Sequence, residues 1–108
     1  MAALKQLAQV SPAATTVTTL YTAPTLTTGA TVSSLMVCNT NTTAITFRVS
    51  DAKAGAADAV TQYIYYDITV QGKDTFASTT GITLAQTDVM RCYASATGVN
   101  FTLFGVEE

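Results

Sequence analysis

Histidine and tryptophan are both missing from this 108-residue chain. Without histidine it lacks the side chain that most often serves as a general base near neutral pH and as a ligand to transition metals. Charge is scarce too: 11% of residues are Asp, Glu, Lys or Arg, against roughly 25% in an ordinary globular domain. A free monomer ordinarily keeps a well-charged surface. A surface built from Thr, Ser and Ala is therefore expected to meet other proteins over much of its area. The five cations, Lys5, Arg48, Lys53, Lys73 and Arg91, are scattered, with no adjacent pair. Displacing counterions from nucleic acid needs clustered Lys and Arg, so no nucleic-acid role is expected.

Long apolar runs are absent as well. No stretch approaches the roughly 20 residues of a membrane-spanning helix, and MAALKQLAQVSPAA is broken by Gln6 and Gln9. That segment lacks the uninterrupted apolar core of a secretory signal, so neither a membrane nor a secretory route is expected. There are two cysteines, Cys38 and Cys92. A bridge between them would close a long loop, but an isolated pair without a secretion signal fits reduced thiols better. Glycines occur singly, so no phosphate-cradling loop forms. Asp74 and Asp88 fall in turns, where Asp is expected on backbone grounds. No catalytic, metal-binding or cofactor-binding residue is assigned, and no cofactor is expected.

What is present is threonine, roughly a fifth of the chain, and β-branched side chains favour the pleated strand. Alternating patterns predict strands over Thr15–Tyr21, Val32–Cys38, Ala44–Val49, Gln62–Val70, Thr75–Thr79, Ile82–Leu84, Val89–Ser95 and Val99–Val106. Val32–Cys38 and Ala44–Val49 flank Asn39-Thr40-Asn41-Thr42-Thr43, which reads as the loop of a β-hairpin. In the second of these strands Ile45, Phe47 and Val49 are expected in the core, with Arg48 outward. Val32–Cys38 is apolar on both faces, as a central strand is. Asp51–Thr61 is long enough for a crossover between sheets. Gln71-Gly72-Lys73-Asp74 reads as a tight turn.

The expected architecture is a single all-β domain: a β-sandwich of about eight short antiparallel strands, of immunoglobulin-like or jelly-roll character, over residues 15–108. Residues 1–14 are expected to form an N-terminal arm that packs on the domain or on a neighbouring subunit. In Gln62–Val70 the alternation puts Ile64, Tyr66, Ile68 and Val70 inward and Tyr63, Tyr65, Asp67 and Thr69 outward. Tyrosine offers large amphipathic area at low entropic cost. The candidate contact residues are accordingly Tyr63, Tyr65 and Tyr93, with Leu4 and Leu7 of the arm.

Five segments carry a resemblance when taken in order. They are Leu20-Tyr21-Thr22-Ala23-Pro24 with Thr28-Gly29, then Val32 to Asn39, Gly81 to Leu84, Asp88 to Ser95, and Phe101 to Gly105. Together they resemble a family of small all-β virion proteins of tailed bacteriophages, with Ala23 and Cys92 standing where a bulkier aliphatic is expected. The resemblance implies a non-enzymatic structural protein of the virion, assembled in the bacterial host cytoplasm. Its role would be that of a capsid decoration (cement) protein or, alternatively, a tail, neck or fibre component with host-surface or glycan binding. Implied partners are other virion proteins, above all the major capsid protein, and further copies of the chain, by analogy as a homotrimer.

Overall fold

The computed structural model describes residues 4–25, 28–79 and 81–107; residues 1–3 of the expected arm and residue 108 lie outside the described residues. Nine strands follow one another: β1 (Lys5–Val10), β2 (Thr18–Thr22), β3 (Gly29–Asn39), β4 (Ile45–Ala52), β5 (Tyr63–Val70), β6 (Thr75–Ser78), β7 (Ile82–Ala85), β8 (Val89–Ala94) and β9 (Val99–Glu107). They form two antiparallel sheets. Sheet one runs β1-β9-β3-β6, with β7 also on β3 beyond β6; sheet two runs β2-β8-β4-β5. The all-β sandwich expected from the alternation is what forms.

Each sheet contributes one apolar face. Leu35 and Val37 of β3 and Val99, Phe101 and Leu103 of β9 meet Phe47 and Val49 of β4 and Met90, Cys92 and Ala94 of β8. Phe47 is the hub, with ring centroids 5.1 Å from Phe76, 5.9 Å from Phe101 and 6.1 Å from Tyr65. Tilted and edge-on rings at these separations add to the burial term. The strand β3 is central, with β9 on one side and β6 and β7 on the other.

The expected hairpin does not form. Although consecutive, β3 and β4 lie in different sheets, so Thr40–Ala44 is an arch that carries the chain across the sandwich. Asn-rich turn chemistry serves an arch as well as a hairpin, since both reverse the chain. What pins this arch is Asn39, fully buried. Its amide nitrogen donates toward the carbonyls of Thr43 (2.9 Å), Val70 (3.2 Å) and Gln71 (3.1 Å), and its Oδ1 accepts from the Asn41 N–H (3.0 Å). The second arch, Gln71–Asp74, returns the chain from β5 to β6 and lies against the first: Lys73 N–H donates to the Asn41 carbonyl at 2.9 Å. At Gly72 an added Cβ would sit 2.2 Å from the Thr42 carbonyl oxygen, so only glycine permits the two arches to touch. Asp51–Thr61, expected to cross between sheets, does not: Asp51 and Ala52 end β4, and residues 53–62 join β4 to its neighbour β5, with short 3-10 turns at Lys53–Gly55 and Val60–Gln62.

Within the expected arm, Lys5–Val10 is the edge strand of sheet one, paired antiparallel with β9. The carboxylate of Glu107 ties this edge down. It pairs with Lys5 Nζ at 2.6 Å and accepts a hydrogen bond from the Tyr21 hydroxyl, so one side chain of β9 holds β1 and the facing strand β2. Lys5 and then Tyr21 hold the Glu107 carboxyl below its ordinary range. Burial, then Glu107, raises the Tyr21 phenol.

A cation and tyrosine cluster on the outer face of sheet two

The strand β5 departs from simple alternation twice. Its register against β4 slips between Phe47 and Val49 and again between Val49 and Ser50. Phe47 faces Ile68 while Val49 faces Tyr65, so β5 holds one more residue than its partner there. Asp67, in that extra stretch, takes φ 53°, the left-handed conformation that Asp tolerates better than β-branched residues. The consequence is a change of face in mid-strand. Ile68 and Val70 point inward after the bulge, but Tyr65 points inward before it, and Ile64 and Tyr66 are exposed.

This overturns the expected orientation of Tyr65, Tyr66 and Ile64. Tyr65 packs on Phe47 and Phe76, and its hydroxyl hydrogen-bonds Ser78 Oγ at 2.6 Å. It is a core residue with a polar tip, tying sheet two to β6 of sheet one. Tyr66, expected in the core, is half exposed and belongs to a surface cluster.

The centre of that cluster is Arg48, on the outward face of β4. Its guanidinium carbon lies 4.2 Å from the Tyr66 ring centroid and 4.4 Å from that of Tyr93. Cross-strand register explains Tyr93, which is the direct partner of Arg48 on β8; the bulge explains Tyr66. Asp67 then takes the guanidinium edge in a two-pronged pair, Nε to Oδ1 at 2.6 Å and Nη2 to Oδ2 at 3.2 Å. Hydrogen bonding to Arg48 holds the Asp67 carboxyl below its ordinary range, and the same contact raises Arg48. Cation–π contacts and a bidentate carboxylate together fix a side chain that would otherwise sample many rotamers. Tyr63 extends the cluster, edge-on to Tyr66 at 5.1 Å, and its hydroxyl donates to Asp58 at 3.3 Å. Burial, then the Asp58 charge, raises the Tyr63 phenol.

The structure therefore brings together Tyr63 and Tyr93 of the expected contact residues and adds Arg48, Tyr66 and Asp67. Leu4 precedes β1 and is exposed, on the other sheet; Leu7 sits at a register slip of β1 and packs partly on the core. The cluster is preorganised and amphipathic, suited to recognition by stacking and hydrogen bonding. Among the described residues no three His, Cys, Asp or Glu side chains converge as a metal site would require.

Neither a family model nor a curated protein matches the chain. Among solved structures it is similar to a chain of the acid-stable capsid of Helicobacter pylori bacteriophage KHP30, at 18% sequence identity and a TM-score of 0.53. The likeness spans 98% of this chain and 86% of that one, so two chains of comparable length share one sandwich fold from end to end.

Proposed function

We propose that this chain is a non-enzymatic structural protein of a bacteriophage virion, and within the particle a capsid decoration protein that strengthens the shell by protein–protein contact. The observation that carries the reading is the end-to-end fold likeness to a chain of comparable length in a phage capsid. The scarcity of charge supports it, as does the rigid Arg48, Tyr66 and Tyr93 cluster on an exposed sheet. Arg and Tyr dominate the energetics of protein interfaces when held in place. In this reading the cluster meets the major capsid protein, while residues 4–14 of the arm lie along a subunit boundary, where β1 offers the outer edge of sheet one.

Abundance tests the assignment. Gel densitometry of purified virions gives a decoration protein copy numbers approaching those of the major capsid protein. A handful of copies per particle instead places the chain in the tail, neck or fibre. Tyr66→Ala, at a half-exposed position, leaves the isolated fold intact and lowers incorporation at least several-fold; undiminished incorporation removes the cluster from the interface.

A further inference from the structure

The outer face of sheet one differs in kind from that of sheet two. Register fixes its cross-strand rows: Gln6, Phe104 and Ser34 form one, and Gln9, Thr102, Met36 and Ala77 the next. Of the charged residues that the five strands carry, Lys5 and Glu107 pair with each other at the sheet's end, and Glu107 turns toward Tyr21 of the opposite sheet. Among the described residues, no charged side chain stands at an outward position of sheet one. An ordinary surface has about one charged residue in four. Two large apolar side chains, Met36 and Phe104, stand exposed in the middle of this face, at 41% and 38% of their full accessibility.

We infer that this face packs against the same face of a second copy of the chain. Three observations select that occupant. The first is chemical. A partner bearing charge would have to desolvate it against a surface with no counter-charge, which costs several kcal/mol per ion. A matching partner must itself be uncharged over the whole patch, and this chain carries such a patch. The second is self-complementarity. Thr and Ser hydroxyls and Gln and Asn amides both donate and accept, so the face can satisfy its own copy across a two-fold axis, where each residue meets its reciprocal. The third is size. The 34 residues of the five strands, at ~4.8 Å spacing and ~3.3 Å rise, cover about 540 Å². Two such faces together remove about 1,080 Å², just above the roughly 1,000 Å² that a biological interface clears. Phe104 supplies an aromatic anchor, and Met36 a pliable side chain that fills what remains.

The inference stands apart from the virion reading, because the purified chain alone tests it. Sedimentation velocity and light scattering over a concentration series give a species of twice the 11.3 kDa chain mass. Thr102→Lys, in the central row, and Met36→Lys, at an exposed position, each return it to the monomer mass with the far-UV spectrum and melting midpoint of a folded sandwich. Thr19→Lys, exposed on β2 of the other sheet, leaves the dimer unchanged. A wild-type chain that stays monomeric, an oligomer of any size that survives both lysines in folded form, or an equal loss in Thr19→Lys overturns the inference.

Discussion

Replacing Asn39 by Asp removes two protons from the centre of the sandwich while leaving its shape alone. The amide of Asn39 faces three backbone carbonyls, those of Thr43, Val70 and Gln71, and these close both arches. A carboxylate at position 39 can still accept from the Asn41 N–H, but it donates nothing and sets a negative charge among carbonyl oxygens. Each buried group left without a partner costs about 1–3 kcal/mol. Two amide hydrogens serve the three carbonyls, so at least two are orphaned, which gives a loss of about 2–6 kcal/mol. Set against the 5–15 kcal/mol that holds a typical domain together, this is a large fraction, and it lowers the melting midpoint by roughly 10 °C or more. The pH dependence has a definite sign. Burial among carbonyls raises the introduced carboxyl's pKa in the folded state above its unfolded value near 4. The destabilisation relative to wild type is therefore smallest below about pH 4, where the acid is protonated in both states and can donate one bond, and it grows as pH rises toward the folded pKa. Urea denaturation of Asn39→Asp and wild type at pH 4 and pH 7 reads both effects. A variant within 1 kcal/mol of wild type at pH 7, or a deficit that shrinks as pH rises, refutes the role given to Asn39.

Glu107→Gln flattens the acid limb of the stability curve. The folded-state pKa of Glu107 is depressed, so its contribution is present above the unfolded value and is lost as pH falls through the folded one; equal limbs in variant and wild type contradict this. In the monomeric Met36→Lys variant, a thiol reagent at neutral pH labels Cys38, half-buried on the outer face of sheet one, far faster than Cys92, whose thiol burial pushes up to about 12; denaturant equalises the two, and equal native rates would be the contrary result. Gly72→Ala destabilises by about 1–3 kcal/mol or more in urea titrations, because its Cβ meets the Thr42 carbonyl oxygen at 2.2 Å and one arch must move. Asp67→Gly melts close to wild type, since an exposed ion pair contributes little, whereas Asp67→Val melts lower than Asp67→Gly because it forces a β-branched residue to φ 53°; equal melting midpoints for the two would remove the strain argument.

Alternation in the sequence located β2 to β9 and the core face of β4, where Ile45, Phe47 and Val49 fall inward as expected. It failed wherever a strand gains a residue. Strict alternation sets Val32 on the face of Met36 and Cys38, opposite Leu35 and Val37, but at Ser33 the register of β3 against β9 slips between Val32 and Ser34, and Val32 lies on the core face. At Asp67 the same event exchanges Tyr65 for Tyr66. Period-2 reasoning has no memory of an inserted residue, so every side chain on one side of it is assigned to the wrong face. A weak signal for one of these was legible: Asp is depleted in strands and tolerates left-handed backbone, so Asp67 in QYIYYDITV marks the bulge. Ser33 carries no comparable mark. Sheet membership was not legible at all, because a five-residue turn between apolar segments has the same composition whether it pairs them or lifts the chain to the opposite sheet.

The bulge in β5 also bears on how the two faces differ. In a regular β5, Ile64, Tyr66, Ile68 and Val70 would all line the core, and Arg48 would stand on sheet two beside Tyr93 alone. One extra residue turns Tyr66 out over the guanidinium and brings Asp67 to its edge, while Tyr65 takes the core position against Phe47. The slip that re-aims these side chains also kinks β5, the edge strand of its sheet, and a kinked edge is a poor template for pairing with another chain. In the proposed reading, sheet two meets partners through side chains on its face and not through its β5 edge. Sheet one keeps its hydroxyl-rich outer face free of charge and ties its β1 edge to β9 through Glu107. Under the proposed function and the proposed dimer, one molecule engages a surface unlike itself on one side and a copy of itself on the other, a geometry with which a thin protein would cover a larger assembly.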